Sequence, residues 1–438
     1  MRQINRTMPV TCYVPRMHGG SELLPRRAYE NVRAAMRDTR VVVINGARQT
    51  GKSTLARLIM DGISGAELRY LDEAVVRSAA QADPALFVRH EGLLVLDEVQ
   101  RVPDLLLAIK HEVDVDPRPG RFLLTGSARL LALRDIPDLL PGRSETIELW
   151  PLSQGEIDRT ADGFIDAVFE HGAELAVSQL TMTESPLRRE DYLERALRGG
   201  YPEAIRRTDL GRRARFFESY VSDLISRDVR QVSEIERPAD MRRLLNLICA
   251  SMATLAVPAA FANHLRLPAS TVKRYLDLLE LLYVVHRIPA WSTNLTTRAV
   301  ATPKLMVVDS GLAGHLVGMT LKRAKHPTAP VGPIMENFVL GELARQLSWA
   351  DEPVRLYHYR DRDKNEVDAI LERASGEVVA VEVKAAETVR SEDFRGIQHL
   401  MRRLGDQLLA GIVLYAGRQA LPFGKHLCAL PISALWNR

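Results

Sequence analysis

The stretch Val41–Met60, VVVINGARQTGKSTLARLIM, restricts the fold of this chain more than any other. Val41-Val42-Val43-Ile44 is apolar and β-branched with no polar alternation, the pattern of a strand buried on both faces. It breaks at Gly46-Ala47-Arg48-Gln49-Thr50-Gly51-Lys52-Ser53, spaced G-x-x-x-x-G-K-S, and resumes as an amphipathic helix from Thr54. Strand, loop and helix in that order predict a phosphate-binding loop. Gly46 and Gly51 permit backbone geometry that a Cβ resists, so successive N–H groups can curl around phosphate oxygens. The helix behind them aims its positive dipole end at the same anion. Lys52 is expected to reach the β and γ phosphates, and Ser53 to supply a hydroxyl ligand to Mg²⁺. The expected contacts to a nucleoside triphosphate therefore run through Gly46, Ala47, Arg48, Gln49, Thr50, Gly51, Lys52, Ser53 and Thr54.

At 438 residues the chain exceeds what one core organises and predicts two to four domains. With 46% hydrophobic and 26% charged residues it reads as globular, and a net charge of +4 does not by itself argue for nucleic acid. Cys12, Cys249 and Cys428 lie far apart with no C-x-x-C pair, which predicts neither a disulfide framework nor a zinc site and fits a reducing compartment. No apolar run approaches the roughly 20 residues that span a bilayer. Residues 1–20 lack a signal-peptide core, so the reading is a cytoplasmic protein with a loosely held leader and no membrane partner.

A helix over residues 21–40 should precede the first strand, and Glu67–Asp72 should form the second. Gly92-Leu93-Leu94-Val95-Leu96-Asp97-Glu98 is a buried strand closed by two acids, the Walker B pattern. Such acids emerge at the sheet edge where open α/β sheets bind ligands. Asp97 is expected to hold Mg²⁺ through water, and Glu98 to polarise the attacking water. The structural alternative is that both acids cap a helix Val102–His111. The next strand, Arg121–Ser127, places Thr125 and Ser127 as γ-phosphate sensors or as caps of a helix over Ala128–Arg134. Arg143, after Pro141-Gly142, is a candidate to approach the nucleotide from the same or a neighbouring subunit, or is a plain surface arginine.

GARQTGKST, LLVLDEVQRVPDLL, FLLTGSARLL and LPGRSETIEL, in this order, resemble bacterial and archaeal AAA-type ATPases with a C-terminal domain of unknown function. The likeness continues through Leu152-Ser153, Gly199–Glu203 and Tyr220–Val229, and covers most of the chain from about Arg26. It implies ATP with Mg²⁺ as ligands, a helical segment, a winged-helix-like region and a nuclease-like C-terminal module. Ala161–Ser185 fits none of these blocks and is expected to be a flexible insertion. Residues 190–236 are helical and arginine-dense, which is either a set of solvated helix faces or a source of an arginine for another subunit's γ-phosphate. Arg227 is the candidate for that role in a homo-oligomer.

From Val257 the pattern is a helix Ala259–Leu265, a turn at Pro268, a second helix capped by Ser270, and a ribbon through Tyr283–Ile288. That is helix-turn-helix with a wing, placing Lys273 and Arg274 where DNA would be met or, alternatively, forming a protein-packing module. Asp309 is expected to cap the helix that begins near Gly311.

Near the C-terminus a helix carries Glu336, and a strand–turn–strand carries Asp368, then Glu382 and Lys384 two residues apart on one face. Two carboxylates and an ammonium about one point suit a hard cation: Asp368 and Glu382 would bind Mg²⁺ while Lys384 steadies water and phosphate. This resembles the PD-(D/E)xK nuclease fold, with Glu336 as the helical acid and Gln398 on the following helix. The residue before Asp368 is Val, not Pro, and D…E-x-K also fits an exposed strand of alternating charge.

The chain thus reads as α/β: a parallel sheet of the P-loop NTPase type with helices on both faces, then a helical and winged-helix domain, then a small PD-(D/E)xK-like domain. The expected boundaries are 1–20, 21–155, 156–240, 241–320 and 330–438. The expected activity is ATP hydrolysis coupled to the C-terminal modules, on or near DNA. The alternatives are an ATP-gated metal-dependent DNA endonuclease and a nucleotide-switched DNA-binding or scaffold protein.

Overall fold

The computed structural model describes residues 23–127, 140–176, 184–229, 237–326 and 328–437. The leader and the helix expected over Ala128–Arg134 lie outside them.

Strands β1 (Val41–Asn45), β2 (Glu67–Tyr70), β3 (Leu94–Asp97), β4 (Phe122–Gly126) and β5 (Ser144–Glu148) form a sheet ordered β2-β3-β4-β1-β5. All its pairings are parallel. The lack of polar alternation in β1 has a direct cause, because successive residues serve opposite cores. Val41 and Val43 join Leu105, Leu106, Ile109 and Val113 of the helix Leu105–Val115. Val42 and Ile44 join Val32 of the helix Ala28–Ala35 and Leu55, Ala56 and Ile59 of the helix Lys52–Asp61. Helices therefore cover both faces, as a parallel sheet requires.

Beyond this sheet the chain is mostly helical to residue 281. Residues 161–176 correct the expectation of a flexible insertion: Phe164–His171 is a helix whose Phe164 and Val168 are fully buried in the core of the later domains. The remainder of that stretch up to 183 lies outside the described residues. Helices Pro258–Leu265 and Ala269–Leu281 are followed by an antiparallel ribbon, β6 (Val285–Ile288) and β7 (Lys304–Val307). Ser270 lies inside the second helix and does not cap it. The ribbon is not a projecting wing. Every residue of β7 is buried, and Asn337 exchanges two 2.8 Å hydrogen bonds with the Val307 backbone.

The C-terminal sheet is mixed and has six strands: β8 (Val354–Arg360), β9 (Glu366–Arg373), β10 (Val378–Lys384), β11 (Leu408–Tyr415), β12 (Leu421–Gly424) and β13 (Leu427–Pro431). Their order is β12-β13-β11-β10-β9-β8, with β10, β11 and β13 parallel. Val379, Val381 and Val383 share a core with Phe338 and Val339 of the helix Gly332–Gln346, while Val378 and Ala380 share one with Ile397 and Leu400 of the helix Arg395–Leu404.

Candidate functional site

Register puts the motif residues together. Asn45 pairs with Gly126, Ile44 with Thr125, and Leu96 with Leu124, so the residues that follow β1, β3 and β4 leave the sheet at one edge. The phosphate loop turns there with Gln49 at φ 63° and Gly51 at φ 98°, and the helix starts at Lys52. A Cβ on Gly46 would lie 2.2 Å from the Leu149 carbonyl oxygen, so only glycine lets β1 run this close to the chain leaving β5. Thr50 is fully buried and its hydroxyl donates to the Ala47 carbonyl at 2.9 Å.

Lys52 is 4% exposed and its ammonium donates to the carbonyls of Gly46 (3.0 Å) and Ala47 (2.9 Å), across the loop it closes. Burial holds this ammonium below its ordinary range, against the pull of Glu98, Asp97 and Asp228. The Ser53 hydroxyl lies 2.8 and 3.0 Å from the two Asp97 oxygens. A hydroxyl and a carboxylate in contact, beside a loop shaped for phosphate, are the donor set of a hard divalent cation. Thr125 donates to the same Asp97 carboxylate and accepts the Glu98 N–H at 3.1 Å. Glu98 itself is left-handed, at φ 59°. Neither acid caps the following helix, which begins only at Leu105 behind a short turn, Val99–Arg101. Gln100, which the motif reading passed over, donates from one amide nitrogen to Glu98 and to Ser127.

The structure places the two arginine candidates differently. Arg143 precedes β5, whose Ser144 is level with Val41 at the start of β1, so it stands at the edge opposite the phosphate loop. There it pairs with Asp114 at 2.5 Å, which corrects the expectation that it could approach the nucleotide of its own subunit. Arg227 is exposed and has no ion-pair partner among the described residues. Its neighbour Asp228 is the residue that reaches the phosphate loop, 2.8 Å from Arg48. Sequence reasoning missed it because it sought a cation for the phosphate. The acid in the same SRDV block was the available signal.

The C-terminal cluster also differs from expectation. Lys304, from β7, is 1% exposed and its ammonium lies 2.6 Å from Glu336 and 3.3 Å from Asp368. The other Asp368 oxygen accepts the Val383 N–H at 2.9 Å. Lys384 pairs with Glu382 at 2.9 Å, on one face as the strand spacing predicts. Burial, then the Asp368 charge, pushes both Glu336 and Glu382 well above the usual carboxylate range. Burial pulls the Lys304 ammonium down, but Asp368 and Glu336 outweigh it and leave it raised. The cation of this cluster is an internal ammonium, and among the described residues no group of acids and histidines is arranged to hold a metal. Of the two carboxylates expected to hold Mg²⁺, Asp368 pairs here with Lys304 and Glu382 with Lys384. Gln398, half-buried on its helix, makes no hydrogen bond to any of them. Lys273 and Arg274 are exposed near the start of the second helix, as expected.

A phosphate loop at the edge of a parallel sheet, with Lys52, Ser53, Asp97 and Glu98 converging on it, defines a P-loop nucleotide-binding domain. Residues 38–158 match the family described as an AAA domain. Residues 189–323 and 331–435 match two domains of unknown function, DUF8612 and DUF4143. The uncharacterized proteins Mb2031c of Mycobacterium bovis and Rv2008c of Mycobacterium tuberculosis are each 30% identical over 413 residues, spanning 93% of this chain and 84% of theirs. The chain belongs to the family of these two mycobacterial proteins. Among solved structures, the Walker-type ATPase paby2304 of Pyrococcus abyssi is 14% identical, with 66% of this chain and 95% of that one aligned at a TM-score of 0.42. DnaA from Aquifex aeolicus bound to AMPPCP is 17% identical, over 58% and 86%, at a TM-score of 0.26. No helix among the described residues is long and apolar enough to cross a membrane.

Proposed function

We propose that this chain binds and hydrolyses ATP with Mg²⁺ and couples the cycle to its middle and C-terminal domains, acting on or near DNA. The observation that carries the reading is the convergence of Ser53, Asp97, Thr125 and Glu98 on the edge where Lys52 closes the loop. Ser53 and Asp97 would hold Mg²⁺, which when bound neutralises charge on the β and γ phosphates. Lys52 and the loop amides bind the triphosphate. Glu98 orients the attacking water and takes its proton, and Thr125 keeps Glu98 and Asp97 in register from the intervening strand. Arg227, exposed beside the loop's partner Asp228, is the arginine for a neighbouring copy in a homo-oligomer. The domain boundaries at about 155, 240 and 320–330 are part of the same proposal.

Contact with DNA is supported by exposed Lys273 and Arg274 on a helix-turn-helix. The nuclease alternative is less favoured, because Glu336 and Asp368 are paired with Lys304.

Two measurements test the proposal. ATP titrated into the folded chain with Mg²⁺ should give saturable heat, and phosphate release should fall about 100-fold or more in Lys52→Ala and Glu98→Gln. No heat, or turnover unchanged in both variants, refutes it. Duplex binding should weaken steeply as salt rises and should be reduced in Lys273→Ala/Arg274→Ala.

A further inference from the structure

The phosphate loop does not belong to the ATPase sheet alone. Ala47, its second residue, is 1% exposed and is part of the hydrophobic core that contains Phe217, Tyr220, Val221 and Leu224. Those residues lie on the helix Leu210–Asp223 and on the turn that continues it, Leu224–Asp228. That turn is a π-helix: the Val229 N–H reaches back to the Leu224 carbonyl, five residues earlier. Such a turn carries one residue more than an α-turn and rotates everything beyond it, and π turns are found disproportionately where a side chain must be re-aimed. Here the residue at its end is Asp228, 5% exposed, with its carboxylate 2.8 Å from Arg48 of the loop.

Asp228 also feels the rest of the site. Burial pushes its carboxyl up, Arg48 pulls it down, and Glu98 raises it further, while Asp228 in turn supports the charge on Lys52. It is therefore an acid facing the phosphate site beside Asp97 and Glu98, but donated from outside the sheet. A buried carboxylate opposes a polyanion next to it, and Arg48 is the cation that offsets this one. A triphosphate is a second, more highly charged claimant for the same guanidinium.

We propose that Asp228 is a positioning residue of the nucleotide site: it holds Arg48, and ATP binding competes with it for that guanidinium, so that nucleotide loosens the tie between the phosphate loop and the π turn. This rests on the ATP-binding reading above. By linkage, whatever strengthens the Arg48–Asp228 contact weakens ATP binding, and ATP weakens the contact equally. A signal from the nucleotide thus enters the middle domain through one ion pair.

The test is a double-mutant cycle on the full chain, with Mg²⁺·ATP affinity by calorimetry and steady-state kinetics. Asp228→Asn should bind ATP about fivefold tighter or more, the lower end of ordinary coupling, with KM falling in step and kcat within about twofold. Arg48→Ala should bind ATP more weakly, and in that background Asp228→Asn should give no tightening through Arg48. A folded Asp228→Asn chain that binds ATP no better than wild type overturns the inference, as does tightening of the same size without Arg48. Hydrogen exchange on the wild-type chain is independent of whether either variant folds. Mg²⁺·ATP should speed exchange of the Leu224–Val229 amides, and slowed or unchanged exchange there counts against the inference. If the wild-type chain takes up no ATP, the ATPase reading fails and this falls with it; wild-type binding without these responses removes the latch alone.

Discussion

The Lys304 ammonium is enclosed between the carboxylates of Glu336, at 2.6 Å, and Asp368, at 3.3 Å. One side chain of the β6–β7 ribbon thereby joins the helix Gly332–Gln346 to strand β9 of the C-terminal sheet. A buried cation with two acids ties the three elements together, and it takes up Asp368, one of the two acids expected to hold metal, while Glu382 pairs with Lys384.

Removing that cation leaves two enclosed carboxylates without a counter-charge. Lys304→Ala should therefore cost about 3–5 kcal/mol of stability near neutral pH, the usual effect of breaking a buried pair. Because burial already raises the Glu336 carboxyl, protonation can replace the lost cation. The loss should shrink at pH 5.5 relative to pH 8, read from urea unfolding at both.

A second acid gives a pH dependence of its own. Burial, with help from the Glu342 charge, raises the Asp162 carboxyl from 3.8 to about 8. It accepts from Ser153 at 2.6 Å and from the Gly155 N–H at 3.1 Å. The folded chain binds this proton more tightly than the unfolded one. Its contribution is therefore full below the unfolded value, falls as pH rises from 3.8 towards about 8, and is gone above that. Asp162→Asn can keep both hydrogen bonds and should flatten stability across this window, measured as melting temperature against pH.

Two glycines of the phosphate loop should respond differently to alanine. At Gly46 the new methyl would meet the Leu149 carbonyl at 2.2 Å, so backbone must move and both melting temperature and ATP affinity should fall. At Gly51 nothing lies within 4 Å, and only φ of 98° opposes the change. Gly51→Ala should cost about 1 kcal/mol or slightly more, with the larger loss of ATP binding at Gly46. Calorimetry on the two variants separates collision from strain.

Thr125 and Arg143 should part company in the ATPase assay. Thr125→Val keeps the shape but removes the hydroxyl shared by Asp97 and the Glu98 N–H. Phosphate release should drop about tenfold or more, with Thr125→Ser close to wild type. Arg143 is held by Asp114 at the far edge of the sheet. Arg143→Ala should leave the rate at high dilution unchanged, and an effect that grows with protein concentration would identify contact with a neighbouring copy.

Much of this was legible in the residues. The run Val41–Ile44, the loop to Ser53 and the acids Asp97-Glu98 specify strand, phosphate loop and sheet edge through local chemistry alone. The cap by Asp309 was legible for the same reason, and its carboxylate accepts from Leu312 N–H at 2.8 Å. Phe164–His171 was not, because a short buried helix has no signature until its partners are known. Lys304 gave no local sign of a site residue, since its partner lies 32 positions away, and Asp228, although its SRDV block offered a signal, has a partner 180 positions away.

The sequence by itself determined that a triphosphate-shaped loop would sit on a buried parallel strand, because glycine geometry, β-branching and a helix dipole act within a few residues. Tertiary structure alone decided which charges meet. It gave Arg48 to Asp228 and filled the C-terminal acid cluster with Lys304, because an ion pair depends on distance in space and burial, and neither is written in residue order.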